Sequence, residues 1–212
     1  MSTQAEREAV RGVIYQIPRV PTILELGAYR GDDSQWMRRA CKKGCRYVMV
    51  EADPQNCDVI QEKFPEIELY RAAIASRTGE IKFFRSDNDR GSGSVMKPTG
   101  HLKFFPSVGF DESVVIRAYT LDDLCDTFSI QPDFIWADIQ GAEGVMIEYG
   151  RKTLAHVHYL FMEAEETEFY EGQKIREDLL RLLPNWKLLG IFGDNDENVL
   201  LENQKFVPWG EE

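Results

Sequence analysis

Apolar and polar positions along this chain fall into short blocks, some of strand character and some with helical spacing. TILEL at 22–26 is apolar but for one acid and has the length of a buried strand. In 33–43, Trp36, Met37 and Ala40 recur at helix-compatible spacing, and basic residues gather toward the end, where a helix favours them. RYVMVE at 46–51 predicts a second strand. Pro54 stands where a helix tolerates it, at the start, and 55–64 continues that helix. IELYRAAI at 67–74 predicts a third strand. After a turn at Thr78 and Gly79, EIKFF at 80–84 either extends the sheet or forms a hairpin. VVIRAY at 114–119 returns to strand character, and Thr120 caps a short helix, LDDLCDTF, with Asp122 and Asp123 near its positive end. A strand at 133–138, a helix at 141–154, a strand at 158–165 and a helix at 174–183, ended by Pro184, follow. WKLLGIF from Trp186 and NVLLEN from Asn198 read as closing strands around a hairpin turn at 193–196.

This alternation predicts a doubly wound α/β fold with a mostly parallel sheet and an antiparallel edge. Residues 86–113 break the rhythm. They mix Gly, Ser, Pro and Asp with scattered aromatics and are too long for a simple connection, which points to a lid or binding loop.

The bulk numbers narrow the picture. At 212 residues the chain suits one domain, 1–212. Its formal net charge of -11 repels polyphosphates, so general nucleic-acid binding is not expected. Cys41, Cys45, Cys57 and Cys125 form no C-x-x-C pair and are expected to be free thiols in a reducing compartment. The charged N-terminal segment lacks an apolar signal region, and no stretch approaches the ~20 apolar residues of a membrane span. The expected setting is the cytoplasm. Oligomeric state is left open.

Candidate chemistry gathers at predicted strand ends. In an open α/β sheet ligands bind beyond the carboxyl ends of the strands, and those ends carry Glu25, Glu51 and Asp138, with Glu163 and Glu165 on the next strand. Glu51 follows the glycine turn at about the spacing at which an acid grips a ribose. A dinucleotide site wants G-x-G-x-x-G, but Gly27 and Gly31 flank Ala28, Tyr29 and Arg30. Tyr29 stands where the pyrophosphate needs a glycine, and Asp32 and Asp33 stand at the helix start where it would bind. No ATP-type phosphate loop is present. A phosphate-free, positively charged nucleoside fits such a mouth, and S-adenosylmethionine is one.

The ordered set ELGAYRGDDS (25–34), VEADP (50–54), AAIASRTGEIKFF (72–84), YTLDDL (119–124) and DFIWADIQGAEG (133–144) resembles the FkbM-type family of class I S-adenosylmethionine-dependent methyltransferases. The resemblance spans roughly 22–165 and implies a Rossmann-like sheet of the seven-stranded type. It implies that Glu25 and Gly27 meet the methionine part, that Gly31 and Ser34 complete the turn, that Ala28 and Tyr29 also bind the cofactor, and that Glu51 holds the ribose. Ala52, Asp53 and Ala73 would border the adenine, and Asp138 with Ile139 and Gln140 would approach the sulfonium end. Gly141 allows a sharp turn, and Glu143 either caps it or faces the substrate. Trp136 departs from the pattern, since many relatives carry lysine there.

Methyl transfer from a sulfonium needs alignment, exclusion of water and, for an alcohol acceptor, removal of a proton. Asp138, Glu143 and Glu163 are the candidate catalytic groups, with His101 in the long loop another, though a loop histidine is more simply a surface residue. No residue is assigned as a metal ligand; Mg²⁺ near the Asp138 and Glu163 strand ends is the lesser alternative. His156 and His158 read as structural or exposed. Phe83, Phe84, Phe104, Phe105 and Phe110 either stack on a sugar or flat ring or fasten the long loop. Glu163, Glu165, Glu166 and Glu168, followed by 169–172, either line a substrate entrance or form a solvated rim. The expected function is O-methylation of a small molecule or sugar hydroxyl, with S-adenosylhomocysteine as product and N-methylation also open. The alternatives are a nicotinamide-dependent oxidoreductase and a non-catalytic cofactor-binding protein.

Overall fold

Helix α1 (Gln4–Gln16) opens the structured chain on a capping box. The Thr3 hydroxyl accepts the Glu6 N–H, and the Glu6 carboxylate accepts the Thr3 N–H in return. The computed structural model describes residues 2–41, 44–87, 91–110, 112–193, 195 and 197–211. No helix was expected at 4–16, although Thr3 and Glu6 carry the spacing that signals one.

Strand β1 (Thr22–Leu26) leads into α2 (Ser34–Ala40), β2 (Arg46–Glu51) and α3 (Pro54–Lys63). Helix α3 starts as its sequence asks: Pro54 occupies its first turn and the Asp53 carboxylate accepts the Gln55 and Asn56 N–H groups. The helix expected at 33–43 is shorter, and Lys42 and Lys43 lie outside the described residues. The strand expected at 67–74 is two strands, β3 (Glu68–Arg71) and β4 (Ala73–Ile74). Between them Ala72 donates its N–H to the Glu51 carbonyl at 2.9 Å, and the chain then passes from one sheet to another.

Strand β5 (Gly79–Arg85), the short α4 (His101–Phe104), β6 (Glu112–Tyr119) and α5 (Leu121–Phe128) follow. Neither alternative for 80–84 holds fully. β5 pairs antiparallel with β6 across the long loop, in a separate three-stranded sheet of order β4-β6-β5. Next come β7 (Phe134–Ala137), α6 (Glu143–Glu148), α7 (Arg151–Ala155), β8 (Tyr159–Glu163), α8 (Arg176–Leu182), β9 (Trp186–Phe192) and β10 (Asn198–Asn203). The single helix expected at 141–154 is broken at Gly150, which seats against α5. A Cβ there would stand 2.5 Å from both Leu121 Cδ2 and the Met146 carbonyl oxygen. The expected turn at 193–196 joins an antiparallel pair, β9 with β10, but Asp194 and Asp196 lie outside the described residues.

The main sheet has seven strands in the order β3-β2-β1-β7-β8-β10-β9. The first five are parallel, and β10 runs antiparallel between β8 and β9. Both faces are covered. Leu24, Val48, Ile135 and Leu160 pack with Leu124, Ile147 and Leu179 on one side. Ile23, Met49, Phe134 and Phe161 pack with Ile14, Met37 and Ile60 on the other. Successive residues such as Ile23 and Leu24 therefore feed opposite cores, as a buried parallel strand requires. Among the described residues no helix is long and apolar enough to cross a membrane.

This topology positions the candidate site. β1 has β2 on one side and β7 on the other, so the connections leave it in opposite directions. The crevice at the carboxyl ends of such strands is where a doubly wound sheet binds ligands.

Candidate active site

At the end of β1 the chain turns through Gly27, which has a φ of +77°. Gly27 and Ala28 both donate N–H groups to the Val50 carbonyl, at 2.9 and 3.2 Å, which draws the turn across the end of β2. Tyr29 also takes positive φ, +50°, and donates its N–H to Glu51 Oε2 at 2.7 Å. The other Glu51 oxygen accepts the Asp53 N–H at 2.7 Å. Two backbone loops thus clamp one carboxylate at the crevice, and burial lifts it to about 7 against the pull of those donors.

A cavity of about 380 Å³ opens between the β1, β2 and β7 ends and the small sheet. That size suits a nucleoside-sized ligand. Glu25, Gly27, Ala28, Tyr29, Glu51, Ala52, Ala73, Asp138, Ile139 and Gln140 all line it. Gly31, Ser34 and Asp53 do not. Gly31 packs on Phe64, and Ser34 donates its hydroxyl to Glu25 at 2.5 Å. The Asp53 carboxylate is turned away to Arg85, 2.7 Å from its Nε, in a buried ion pair. Its side chain fastens α3 to β5 and is not on the cavity wall.

Glu25 lies inside the strand, one residue before its end. It also accepts the Tyr47 hydroxyl at 2.9 Å, and burial raises its carboxyl to about 8 although both hydroxyl donors pull the other way. The mouth aspartates are engaged. Asp32 pairs with Lys63 at 2.9 Å, and Asp33 accepts the Ser2 N–H and the Trp36 indole N–H. Their charge is partly met within the protein, so the acidity deeper in the cavity comes from Glu25, Glu51 and Asp138. Among the described residues no lysine or arginine lines the cavity.

The candidate catalytic carboxylates separate on inspection. Asp138 is exposed into the cavity, while Glu143 and Glu163 are not on its wall. Glu143 is buried and accepts the Ile139 N–H at 2.9 Å, bracing the turn after β7; burial lifts its carboxyl to about 8. Glu163 is half-buried beside Gln140 Nε2, at 3.3 Å. Burial, then the neighbouring Asp138 and Glu143 charges, hold it well above the ordinary glutamate value. Among the described residues no group of three or more His, Cys, Asp and Glu side chains is arranged to hold a metal ion.

Other expectations are corrected or sharpened. His101 is not a surface histidine: it is buried among Phe105, Phe110, Phe169 and Tyr170. His156 and His158 are structural, stacked on Trp209 and between Tyr159 and Phe206. Phe83 is a wall of the cavity and a core residue of the small sheet, while Phe104 and Phe105 stay exposed. Residues from the long loop, Gly91, Gly93 and Val95, reach the cavity; no local motif marked them. Trp136 lines it too, stacked on Phe161 at 4.2 Å between ring centres.

Comparison with known proteins places the chain in a family. Residues 25–190 match the methyltransferase FkbM domain. The 2-O-methyltransferase NoeI of Sinorhizobium fredii (strain NBRC 101917 / NGR234) is 32% identical over 196 residues, covering 87% of this chain and 80% of that protein. Among solved structures, methyltransferase FkbM from Methylobacillus flagellatus KT superposes with a TM-score of 0.58 at 16% identity, over 88% of this chain and 45% of the length of that one. The O-methyltransferase from Bacillus cereus, solved in complex with S-adenosylhomocysteine, gives 0.52 at 12% identity, over 95% of this chain and 81% of that one. The chain belongs to the methyltransferase FkbM domain family.

Proposed function

We propose that the cavity binds S-adenosylmethionine and that the protein O-methylates a hydroxyl of a small-molecule or sugar acceptor. The observation that carries this reading is the cavity's lining: five acidic residues, Glu25, Asp32, Asp33, Glu51 and Asp138, with no basic residue among those described. A pyrophosphate finds no cation on such a wall, whereas a cationic nucleoside favours the ionised form of its carboxyls. The nicotinamide reading therefore falls behind.

Glu51 would take the ribose hydroxyls, held in place by Tyr29 and Asp53 N–H groups. Ala52, Ala73 and Phe83 would border the adenine, and Glu25, Gly27 and Asp138 the methionine end. The bound cofactor supplies an electrophilic methyl carbon. The protein's own part is to present the acceptor hydroxyl beside Asp138, to keep water out and to accept the hydroxyl proton. The NoeI relative is a 2-O-methyltransferase, which favours oxygen as the acceptor atom.

Incubation with S-adenosyl-[methyl-³H]methionine and a panel of monosaccharides, oligosaccharides and phenols tests the reading. Label transfer to a hydroxylated acceptor, with S-adenosylhomocysteine formed in equal amount, is expected. Transfer confined to amines would overturn the oxygen assignment.

A further inference from the structure

Gln140 has a φ of +53°, a conformation disfavoured for a residue with a Cβ. Four segments hold it there. Its Nε2 donates to Asp138 Oδ1 at 2.6 Å and lies 3.3 Å from Glu163 Oε2. Its Oε1 is 2.9 Å from the hydroxyl of buried Tyr170, which is also 2.8 Å from the Ser92 carbonyl. Its own carbonyl accepts the Ser94 hydroxyl at 2.7 Å. One side chain thus joins the ends of β7 and β8, and the long loop and the 164–175 segment close on it.

We infer that Gln140 is a positioning residue: its amide bridges Asp138 and Glu163 into one pair, with Asp138 turned to the acceptor hydroxyl as proton acceptor and Glu163 behind it. The inference rests on the methyl-transfer reading only for what the acceptor is.

The chemistry of an amide gives the pair its order. An N–H of Gln140 can only donate, so it favours the ionised form of whatever carboxyl it touches. The shorter contact goes to Asp138. Two adjacent carboxylates do not both ionise cheaply, and the pair keeps a proton between them. Asp138 faces Asp33 from the β1–α2 turn, Glu197 from the β9–β10 turn and Glu143 from α6. Glu163 faces Asp138, Glu143, Glu165 and Glu197, and the nearby Arg176 is engaged by Glu166. Enclosure in the cavity raises Asp138 and burial raises Glu163, and the Gln140 amide, 2.6 Å from Asp138 but 3.3 Å from Glu163, lowers Asp138 the more. Glu163 therefore keeps the proton, and Asp138 carries the charge that receives the acceptor's hydroxyl proton on a carboxylate oxygen.

The test is a carboxyl ¹³C NMR titration of the full chain labelled in its Asp and Glu side chains, with Asp138→Asn and Glu163→Gln for assignment. In the wild type the Asp138 midpoint is expected below that of Glu163. Gln140→Leu is expected to raise the Asp138 midpoint and narrow the gap. Should Gln140→Leu not fold, Tyr170→Phe, which frees Gln140 Oε1 but leaves its donors, should shift Asp138 in the same direction by less. A reversed order in the wild type, or midpoints unmoved in the folded variant, would overturn the inference. Calorimetry with S-adenosylhomocysteine on the same samples separates the two readings: a wild type that binds none contradicts the proposed function while leaving the ordered pair intact.

Discussion

Gly27 lies against the carbonyl of Asp138 so closely that a Cβ at Gly27 would sit 1.8 Å from that oxygen. The two residues belong to adjacent parallel strand ends, and the Asp138 N–H donates to the Leu26 carbonyl at 3.0 Å. The approach that only glycine permits is also the approach that brings the glycine turn and the candidate base to one cavity.

Gly27→Ala therefore meets backbone, not a side chain that can swing away, and it adds strain at positive φ. A loss of roughly 2 kcal/mol or more is expected, together with loss of S-adenosylhomocysteine binding. Thermal unfolding and calorimetry check both; an unchanged melting temperature would show that the turn relaxes freely.

Buried Glu25 carries a pH signature. Its carboxyl stands near 8 when folded and near 4.5 when unfolded, so between those values the folded state binds the extra proton. Stability must then fall as pH rises from about 4.5 to about 8, by at most of the order of 5 kcal/mol from this group. Glu25→Gln should flatten that fall in melting temperature, and a wild type whose stability rises over the window would contradict the assignment.

Arg85 and Asp53 form a buried pair at 2.7 Å that ties β5 to the start of α3. Arg85→Ala removes the cation and should cost about 3 kcal/mol in urea unfolding, since a buried carboxylate is left without its main partner. A cost under about 1 kcal/mol would show the pair to be solvated.

A cationic ligand favours ionised neighbours. Glu51 stands near 7 and Glu25 near 8 in the ligand-free protein, so S-adenosylmethionine should bind more tightly as pH rises from 6 to 8.5, releasing protons. S-adenosylhomocysteine, which lacks the sulfonium charge, should show a weaker rise. Calorimetry in buffers of different ionisation enthalpy reads the protons directly, and identical pH profiles for the two ligands would remove Glu25 from the sulfonium end.

Much of this site was readable from local pattern. TILEL and RYVMVE are strands with the expected bounds, and Glu51 stands at the cavity because a strand's end is a fixed place in this topology. What escaped depends on partners far away in the chain. Asp53 reads as a cavity residue until Arg85, 32 positions on, turns it away. The 67–74 run reads as one strand because apolar residues do not say which sheet they join. His101 looks exposed because the aromatics that bury it, such as Phe169 and Tyr170, arrive from beyond β8. Asp138, Glu143 and Glu163 read alike in sequence, and side-chain direction puts only Asp138 on the cavity wall.

Calorimetric titration of S-adenosylmethionine into the wild type and into Glu51→Ala tests the cavity's role most directly. One-site binding to the wild type is expected, weakened at least about tenfold, some 1.4 kcal/mol, in a Glu51→Ala protein that still unfolds cooperatively. No heat with S-adenosylmethionine, binding of NAD in its place, or equal affinity in the variant would contradict it.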